Sequence, residues 1–240
     1  SCSALLLLLR LSLLLLLPAL AGLFILRSRA TAAVLAVIAI AVPAVTLAAS
    51  GGIRPADRGT LLHEEESAYN YIQVVDESGA RELILNEGRA VHSIYNPVQL
   101  LTGGPWDYFM AAPLLATDAS DPAPQNALII GLAGGTTARQ LTGGFGPIPI
   151  TGGEIDPSIV QVARDYFGLD ELANLSIKVE DGRYALRTSK DEFDLIGIDA
   201  YRQPYIPFQL TTREFFQEVQ SHLRPGGVAV GVTTGGNLAD

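Results

Sequence analysis

The second half of the chain alternates short apolar runs with segments of helical spacing, and this alternation restricts the fold more than any other feature. The apolar runs predict strands at residues 127–132, 148–155, 175–180, 193–198 and 228–233. Such alternation is typical of a parallel sheet joined by crossover helices. The helix after the second strand has clear limits, with Asp156 as N-cap, Pro157 in the first turn and Gly168 at the end. We therefore predict an α/β fold with a doubly wound, Rossmann-like sheet.

The first of these strands ends in a glycine-rich turn, GLAGGTTAR (131–139), which opens a helix. The turn lacks a Lys-Ser/Thr pair, so it is not a triphosphate-binding loop. Ala133 stands where the dinucleotide pattern G-x-G-x-x-G has its second glycine. The turn keeps Gly131, Gly134 and Gly135, which allow positive φ angles and a close approach of the backbone to a ligand.

Acidic residues end the two strands that follow the turn, and they predict a nucleoside site. Glu154 stands 23 positions after Gly131, where its carboxylate can accept hydrogen bonds from both ribose hydroxyls. Asp181 suits an acceptor for an adenine amino group, with Gly182 leaving room for the ring. Local sequence favours equally an N-cap role for Asp181 in the next helix. Together these positions favour one adenosine over a dinucleotide.

Charge and composition exclude two classes of function. Residues 51–240 hold all 25 acidic residues of the chain. They hold 13 of its 16 basic residues, because Arg10, Arg27 and Arg29 lie before them. Such a surface repels phosphate backbones, so we expect no nucleic-acid partner. The single cysteine and the three scattered histidines provide no thiolate cluster and no HExxH spacing, so we expect no metal.

The first 50 residues are apolar and predict a transmembrane helical hairpin. Runs 4–26 and 30–49 each reach the ~20 residues that a helix needs to cross a bilayer, and residues 27–29 (RSR) join them. A signal peptide with a cleavage-like Ala19-Leu20-Ala21 is the alternative, but the second run argues against it. We therefore expect a multi-pass membrane protein in contact with the lipid bilayer.

The ends of the chain and its polar segments predict how it is organised. A start at Ser1 instead of Met, and an end soon after the last strand, indicate a fragment of a longer membrane protein. The predicted parts are a transmembrane hairpin at 1–50, a linker at 51–62, a small β unit with a helix at 63–117, a second linker at 118–126, and a C-terminally incomplete nucleoside-binding α/β domain at 127–240.

Within the small β unit, strands are predicted at 71–75, 82–85 and 90–94, with a hairpin turn at 77–80 and a helix at 106–116. In the α/β domain, Thr211-Thr212-Arg213-Glu214 is a capping-box pattern that predicts a helix start.

Six segments, in this order along the chain, resemble the spermidine synthase family, and more closely its membrane-fused, spermidine-synthase-like bacterial branch. They are ESAYNYIQV (66–74), GLAGGTTAR (131–139), GGEIDP (152–157), EDGR (180–183), DLIGIDAY (194–201) and IPFQLTTREFF (206–216). The resemblance covers roughly residues 63–234. It implies a small N-terminal β unit followed by a methyltransferase-like sheet.

The resemblance also implies an activity, which is the transfer of an aminopropyl group from decarboxylated S-adenosylmethionine, as co-substrate, to a small-molecule amine acceptor. Methylthioadenosine is the product. Asp199 stands at the catalytic position, and Glu154 and Asp181 at the ribose and adenine positions. An amine of pKa about 10.4 costs about 4.6 kcal/mol to deprotonate at pH 7, which explains the need for a carboxylate base.

Three further positions follow from the resemblance alone. Asn70 stands in the segment that binds the donor, and Tyr108 and Tyr201 stand at substrate-binding positions. A homodimer is also implied. A cytosolic donor favours a cytoplasmic catalytic domain, whereas the basic loop at 27–29 favours the opposite orientation.

Two positions depart from the family pattern and support alternative functions. Thr136 and Arg202 stand where the family has acids that bind amines. Arg202 close to a diamine acceptor would repel it, and it could instead hold a carboxylate. One alternative is therefore a methyltransferase that uses S-adenosylmethionine itself. The other is a catalytically inactive nucleoside-binding domain of a membrane protein.

Overall fold

The residues described by the computed structural model are 37, 41, 53–86, 90–115, 123–201 and 206–231, and they form two sheets. The larger sheet has five parallel strands in the order β7-β6-β5-β8-β9. These strands are β5 (Ala127–Ile130), β6 (Ile150–Glu154), β7 (Leu175–Val179), β8 (Phe193–Ile198) and β9 (Leu223–Gly231). The predicted doubly wound, Rossmann-like sheet is confirmed. Its strand order reverses beside β5, which is where such sheets bind ligands.

The smaller sheet is a four-stranded antiparallel meander. Its strands, in spatial order, are β1 (Thr60–Glu66), β2 (Tyr71–Glu77), β3 (Ala80–Leu85) and β4 (Val91–Tyr95). The turn between β2 and β3 is the two-residue Ser78-Gly79, and both residues have positive φ, as tight hairpins require. Because Thr60 pairs with Asp76, the first strand begins inside the segment 51–62 that was predicted as a linker.

Five α-helices lie within the described residues from 53 to 231. They are α1 (Trp106–Ala111), α2 (Thr136–Phe145), α3 (Pro157–Phe167), α4 (Gly182–Thr188) and α5 (Arg213–Ser221). The predicted limits of α3 are confirmed, since Asp156 accepts from the Ser158 N–H and Gly168 is left-handed with φ 61°. The predicted capping box of α5 is wrong by one residue. Thr212 is the N-cap and accepts from the Phe215 N–H, which puts Glu214 one position too early to complete the box.

Apolar clusters cover both faces of the parallel sheet, and a third cluster attaches the meander to α3. Each buried Leu, Ile or Phe contributes about 1.5–3 kcal/mol to stability, so this third cluster fixes the meander firmly. Its buried members are Ile72, Val74, Leu83, Leu85, Ile159, Val162 and Phe167. The chain from Ala56 onward forms one compact unit that contains both sheets.

The predicted membrane location does not hold for the described residues. Their longest helix is α3, with 11 residues, about half of what a bilayer requires. Among them, no helix combines the length and apolar character that crossing a membrane needs, so the predicted multi-pass location is wrong for this part of the chain. Apart from Val37 and Ala41, the predicted hairpin at 1–50 lies outside the described residues.

Candidate functional site

A cavity of about 580 Å³ lies where β5, β6, β7 and β8 end, with the meander forming its opposite wall. The carboxyl ends of parallel strands are the usual ligand site of a doubly wound sheet. Tyr69, Leu85 and His92 contribute to the cavity from the meander side. The predicted site residues that line it are Asn70, Gly131, Glu154, Asp181, Gly182, Asp199 and Tyr201.

The glycine turn brings β5 and β8 close together beneath the cavity. Gly131 has φ +88°, and a Cβ on it would lie 2.5 Å from the Asp199 carbonyl oxygen. Gly134 and Gly135 do not line the cavity. The Gly134 N–H donates to Ser93 Oγ at 2.8 Å, and Gly135 is the left-handed residue before α2. These two glycines therefore shape the turn.

Glu154 joins the end of β6 to the glycine turn. Its Oε1 accepts from the Asp156 N–H at 3.1 Å and its Oε2 from the Ala133 N–H at 3.0 Å. Burial raises the pKa of this carboxyl, and the backbone donors oppose that rise. Each carboxylate oxygen keeps a further lone pair, so the group can still accept hydrogen bonds from a ligand.

Asp181 is the N-cap of α4 and also lines the cavity. Its Oδ1 accepts from the N–H groups of Arg183 and Tyr184, each at 3.0 Å. The N-cap alternative for Asp181 is therefore realised, and it is compatible with a ligand contact through the other oxygen. Gly182 has no room for a side chain, because a Cβ there would collide with the Ile130 side chain.

Asp199 follows β8 and places a second acid with a raised pKa in the cavity. Its Oδ2 accepts from the indole Nε1 of Trp106 at 3.0 Å. Burial raises the pKa of Asp199 to about 7, and the Trp106 hydrogen bond opposes the rise. A carboxyl with a pKa near neutrality is suited to accept a proton at physiological pH. The sequence did not reveal Trp106 as its partner, because 93 positions separate the two residues.

Asn70 connects the meander to the β6 side of the cavity. Its Nδ2 donates to Asp156 Oδ2 at 2.9 Å, and its Oδ1 accepts from Asn86 Nδ2 at 3.0 Å. The Ser67 hydroxyl donates to the same Asp156 oxygen at 2.5 Å. Because Asp156 also caps α3, these bonds fix the meander to the start of that helix.

The β8 side of the cavity contains an aromatic pair that the sequence did not indicate. The rings of His92 and Tyr201 stack with their centroids 6.4 Å apart. Burial lowers the pKa of His92 to about 4, so its imidazole is neutral at pH 7. Its Nε2 is shielded from solvent and has no hydrogen-bond partner within the described part of the chain.

Two further positions singled out in the sequence, Tyr108 and Thr136, are not brought to the cavity. Tyr108 is 73% exposed and is not among the lining residues. Thr136 is buried elsewhere, with its hydroxyl accepting from the Ile94 N–H and donating to the Ile94 carbonyl, both at 2.9 Å. Arg202 lies outside the described residues. Within those residues, no group of three or more His, Cys, Asp and Glu side chains is arranged to hold a metal.

Comparison with known proteins relates the chain to a family. Residues 114–238 match the family model described as the spermine/spermidine synthase domain. A probable polyamine aminopropyl transferase of Bifidobacterium longum (strain NCC 2705) is 43% identical over 170 residues, which are 71% of this chain and 36% of the relative. A polyamine aminopropyltransferase of Vibrio vulnificus (strain CMCP6) is 30% identical over 183 residues, covering 73% of this chain and 60% of the relative.

A solved structure shares the fold. The crystal structure of a probable spermidine synthase from Corynebacterium glutamicum ATCC 13032 superposes with a TM-score of 0.61 at 21% identity, covering 70% of this chain and 62% of the other. The chain thus spans less than two thirds of the length of each of these proteins.

Proposed function

Because this chain belongs to the spermine/spermidine synthase family, we propose that it transfers an aminopropyl group from decarboxylated S-adenosylmethionine to an amine acceptor and releases methylthioadenosine. The proposal rests chiefly on one observation. Asp199, with its pKa raised to about 7, lines the same cavity as Glu154 and Asp181, the two acids suited to a nucleoside.

The order of the strands separates the two parts of the proposed reaction. Asp181 follows β7 and Glu154 ends β6, whereas Asp199 follows β8 on the other side of β5. In the proposal, Glu154 accepts from the ribose hydroxyls and Asp181 from the adenine amino group. The aminopropyl group then points towards β8, where Asp199 and Tyr201 receive the acceptor amine.

The chemistry requires a base at that end. The lone pair of the acceptor nitrogen attacks the aminopropyl carbon bonded to the sulfonium. The carbon–sulfur bond breaks with its electron pair remaining on sulfur, which gives the neutral thioether of methylthioadenosine. The nitrogen must lose a proton, and Asp199 takes it. An ammonium group close to Asp199 favours the ionised carboxylate and so prepares the base as the acceptor binds.

The structure weakens the argument for the two alternative functions. Both drew on Thr136 as a missing acid in the donor site, but the Thr136 hydroxyl is bonded to the Ile94 backbone and does not line the cavity. The absence of a charge at this position therefore says nothing about the donor's tail. The membrane-fused branch is not part of the proposal, because the transmembrane hairpin predicted at 1–50 lies, apart from Val37 and Ala41, outside the described residues. The homodimer stays a prediction that light scattering on the full chain can test.

The proposal is tested by incubating the full chain with decarboxylated S-adenosylmethionine and a panel of amines, including butylamine and 1,4-diaminobutane. We expect release of methylthioadenosine, measured by chromatography. Asp199→Asn should lower kcat/KM by about 10²–10⁴-fold, the usual contribution of a general base. Asp191→Asn is the matched control, because Asp191 is an exposed acid eight positions earlier, outside the cavity lining.

Absence of methylthioadenosine with every amine contradicts the proposal. Release of S-adenosylhomocysteine from S-adenosylmethionine in a parallel reaction would instead support the methyltransferase.

A further inference from the structure

The carboxylate of Asp199 has two oxygens in different surroundings. Oδ2 accepts from the Trp106 indole at 3.0 Å. Oδ1 has no hydrogen-bond partner among the described residues. It is not fully shielded from solvent either, so it remains accessible. Because an indole N–H only donates, Trp106 can neither take nor supply the proton that the reaction moves. The two oxygens are therefore distinguished before any ligand binds.

The position of Trp106 is fixed from two directions. On one side, α1 packs directly on β8, since a Cβ on Gly197 would lie 2.9 Å from the buried Phe109 ring. Gly197 stands two positions before Asp199, so this contact holds α1 beside the end of the strand. A Cβ on Gly104 would lie 2.8 Å from the Trp106 ring, so the preceding loop also leaves space for the indole.

On the other side, the residue after Trp106 is held by a buried polar group. Asp107 Oδ1 accepts from Gln140 Nε2 at 2.5 Å and from the Thr102 N–H at 3.0 Å, and Asp107 Oδ2 accepts from the Gly103 N–H at 2.9 Å. Gln140 is only 1% exposed and belongs to α2, the helix that the glycine turn opens. The start of α1 is therefore tied to the element that follows the nucleoside-binding turn.

We propose that Trp106 is a positioning residue of the transferase, whose indole N–H holds Oδ2 of Asp199 so that the acceptor amine loses its proton to Oδ1. This inference rests on the proposed function. A hydrogen bond from Trp106 to the ionised carboxylate also favours the form that acts as base. The other titratable groups that line the cavity are Tyr69, His92, Glu154, Asp181 and Tyr201.

The test is Trp106→Phe in the full chain, which keeps an aromatic ring and removes the donor. A hydrogen bond donated to a carboxylate lowers the pKa of that carboxyl group by about one to two pH units. The acid limb of the pH profile of kcat/KM should therefore move upward by that amount, so that activity at pH 7 falls about 5- to 50-fold and partly recovers at higher pH. Tyr184→Phe, which removes a polar atom from an exposed aromatic side chain outside the cavity lining, is the matched control.

A second measurement does not depend on turnover. In protein labelled with carboxyl-¹³C aspartate, with Asp199→Asn to assign the resonance, the titration midpoint of Asp199 should rise by about one to two pH units in Trp106→Phe. An unchanged midpoint overturns the inference, whatever the activity. A shifted midpoint in a protein that releases no methylthioadenosine keeps the hydrogen-bond role of Trp106 and overturns the transferase proposal.

If Trp106→Phe does not fold, the unmodified chain still decides the matter, because Trp106 is its single tryptophan. Its fluorescence should change with a midpoint near pH 7, where Asp199 ionises, and Asp199→Asn should abolish that transition. A fluorescence titration without such a transition overturns the inference.

Discussion

The buried carboxylate of Asp199 should make the stability of the protein depend on pH, and Asp199→Asn measures the effect. Burial raises the pKa of Asp199 from 3.8 to about 7. An acid with a raised folded-state pKa contributes stability that is complete below its unfolded value, here 3.8, and that is lost as the pH rises through about 7. Asparagine carries no charge and keeps an oxygen that can accept from Trp106, so the variant escapes this loss.

The magnitude follows from the interval between the two values. From 3.8 to about 7, at 1.36 kcal/mol per pH unit, the loss amounts to about 4 kcal/mol. Relative to the unmodified chain, the free energy of unfolding of Asp199→Asn should therefore rise by about 1.4 kcal/mol per pH unit between pH 4 and pH 7, and then level off. The substitution that removes the proposed base is thus expected to stabilise the fold.

The assay is urea unfolding of the full chain, followed by circular dichroism at one-unit steps from pH 4 to pH 8. Asp191→Asn serves as the control, since an exposed aspartate should give a difference that stays flat with pH. A difference for Asp199→Asn that does not grow between pH 5 and pH 7 would refute a raised pKa for this carboxyl.

Three further predictions use the same unfolding assay or ligand titration. Gly131→Ala should lower the free energy of unfolding by about 2 kcal/mol or more, because the added Cβ is strained at φ +88° and also clashes with the Asp199 carbonyl. Gly79→Ala, with φ +86° and open space, should show the backbone strain alone, so equal losses in the two variants would contradict the clash. Asn70→Ala should cost about 1–2 kcal/mol through its bonds to Asp156 and Asn86 and should weaken methylthioadenosine binding in calorimetry; unchanged stability would contradict it. His92→Phe should leave the free energy of unfolding unchanged or raise it, because it removes a buried nitrogen without a partner, and a clear loss would show that Nε2 has one.

Local sequence patterns predicted the strands and helices that position the site. The alternation of apolar runs and helices predicted the parallel sheet, and Asp156, Pro157 and Gly168 predicted both ends of α3. Because parallel strands present their carboxyl ends at one edge, Glu154 and Asp199 could be assigned to a common cavity from their places after β6 and β8. These inferences needed only the strand order and the rule that ligands bind at that edge.

What the sequence could not supply are contacts between distant residues. The bond from Trp106 to Asp199 depends on how α1 packs on β8, and no local pattern records that packing. The family resemblance assigned Thr136 to a position that binds the donor's amine, but its hydroxyl is bonded to the Ile94 backbone of the meander. Thr211 and Thr212 are the same residue type, but the Thr211 hydroxyl donates to the Phe208 carbonyl, and Thr212 is the residue that caps α5.

The cavity has walls from two sheets that share no strand pairing, with Asn70 and His92 on one side and the acids of the parallel sheet on the other. A ligand that contacts both walls therefore stabilises their association. By mass action, a ligand at 100 times its Kd adds about 2.7 kcal/mol to the stability of the folded state. If the proposed S-adenosyl donor is that ligand, its concentration sets how strongly the two walls are held together, and the stability of the fold is coupled to the supply of the donor.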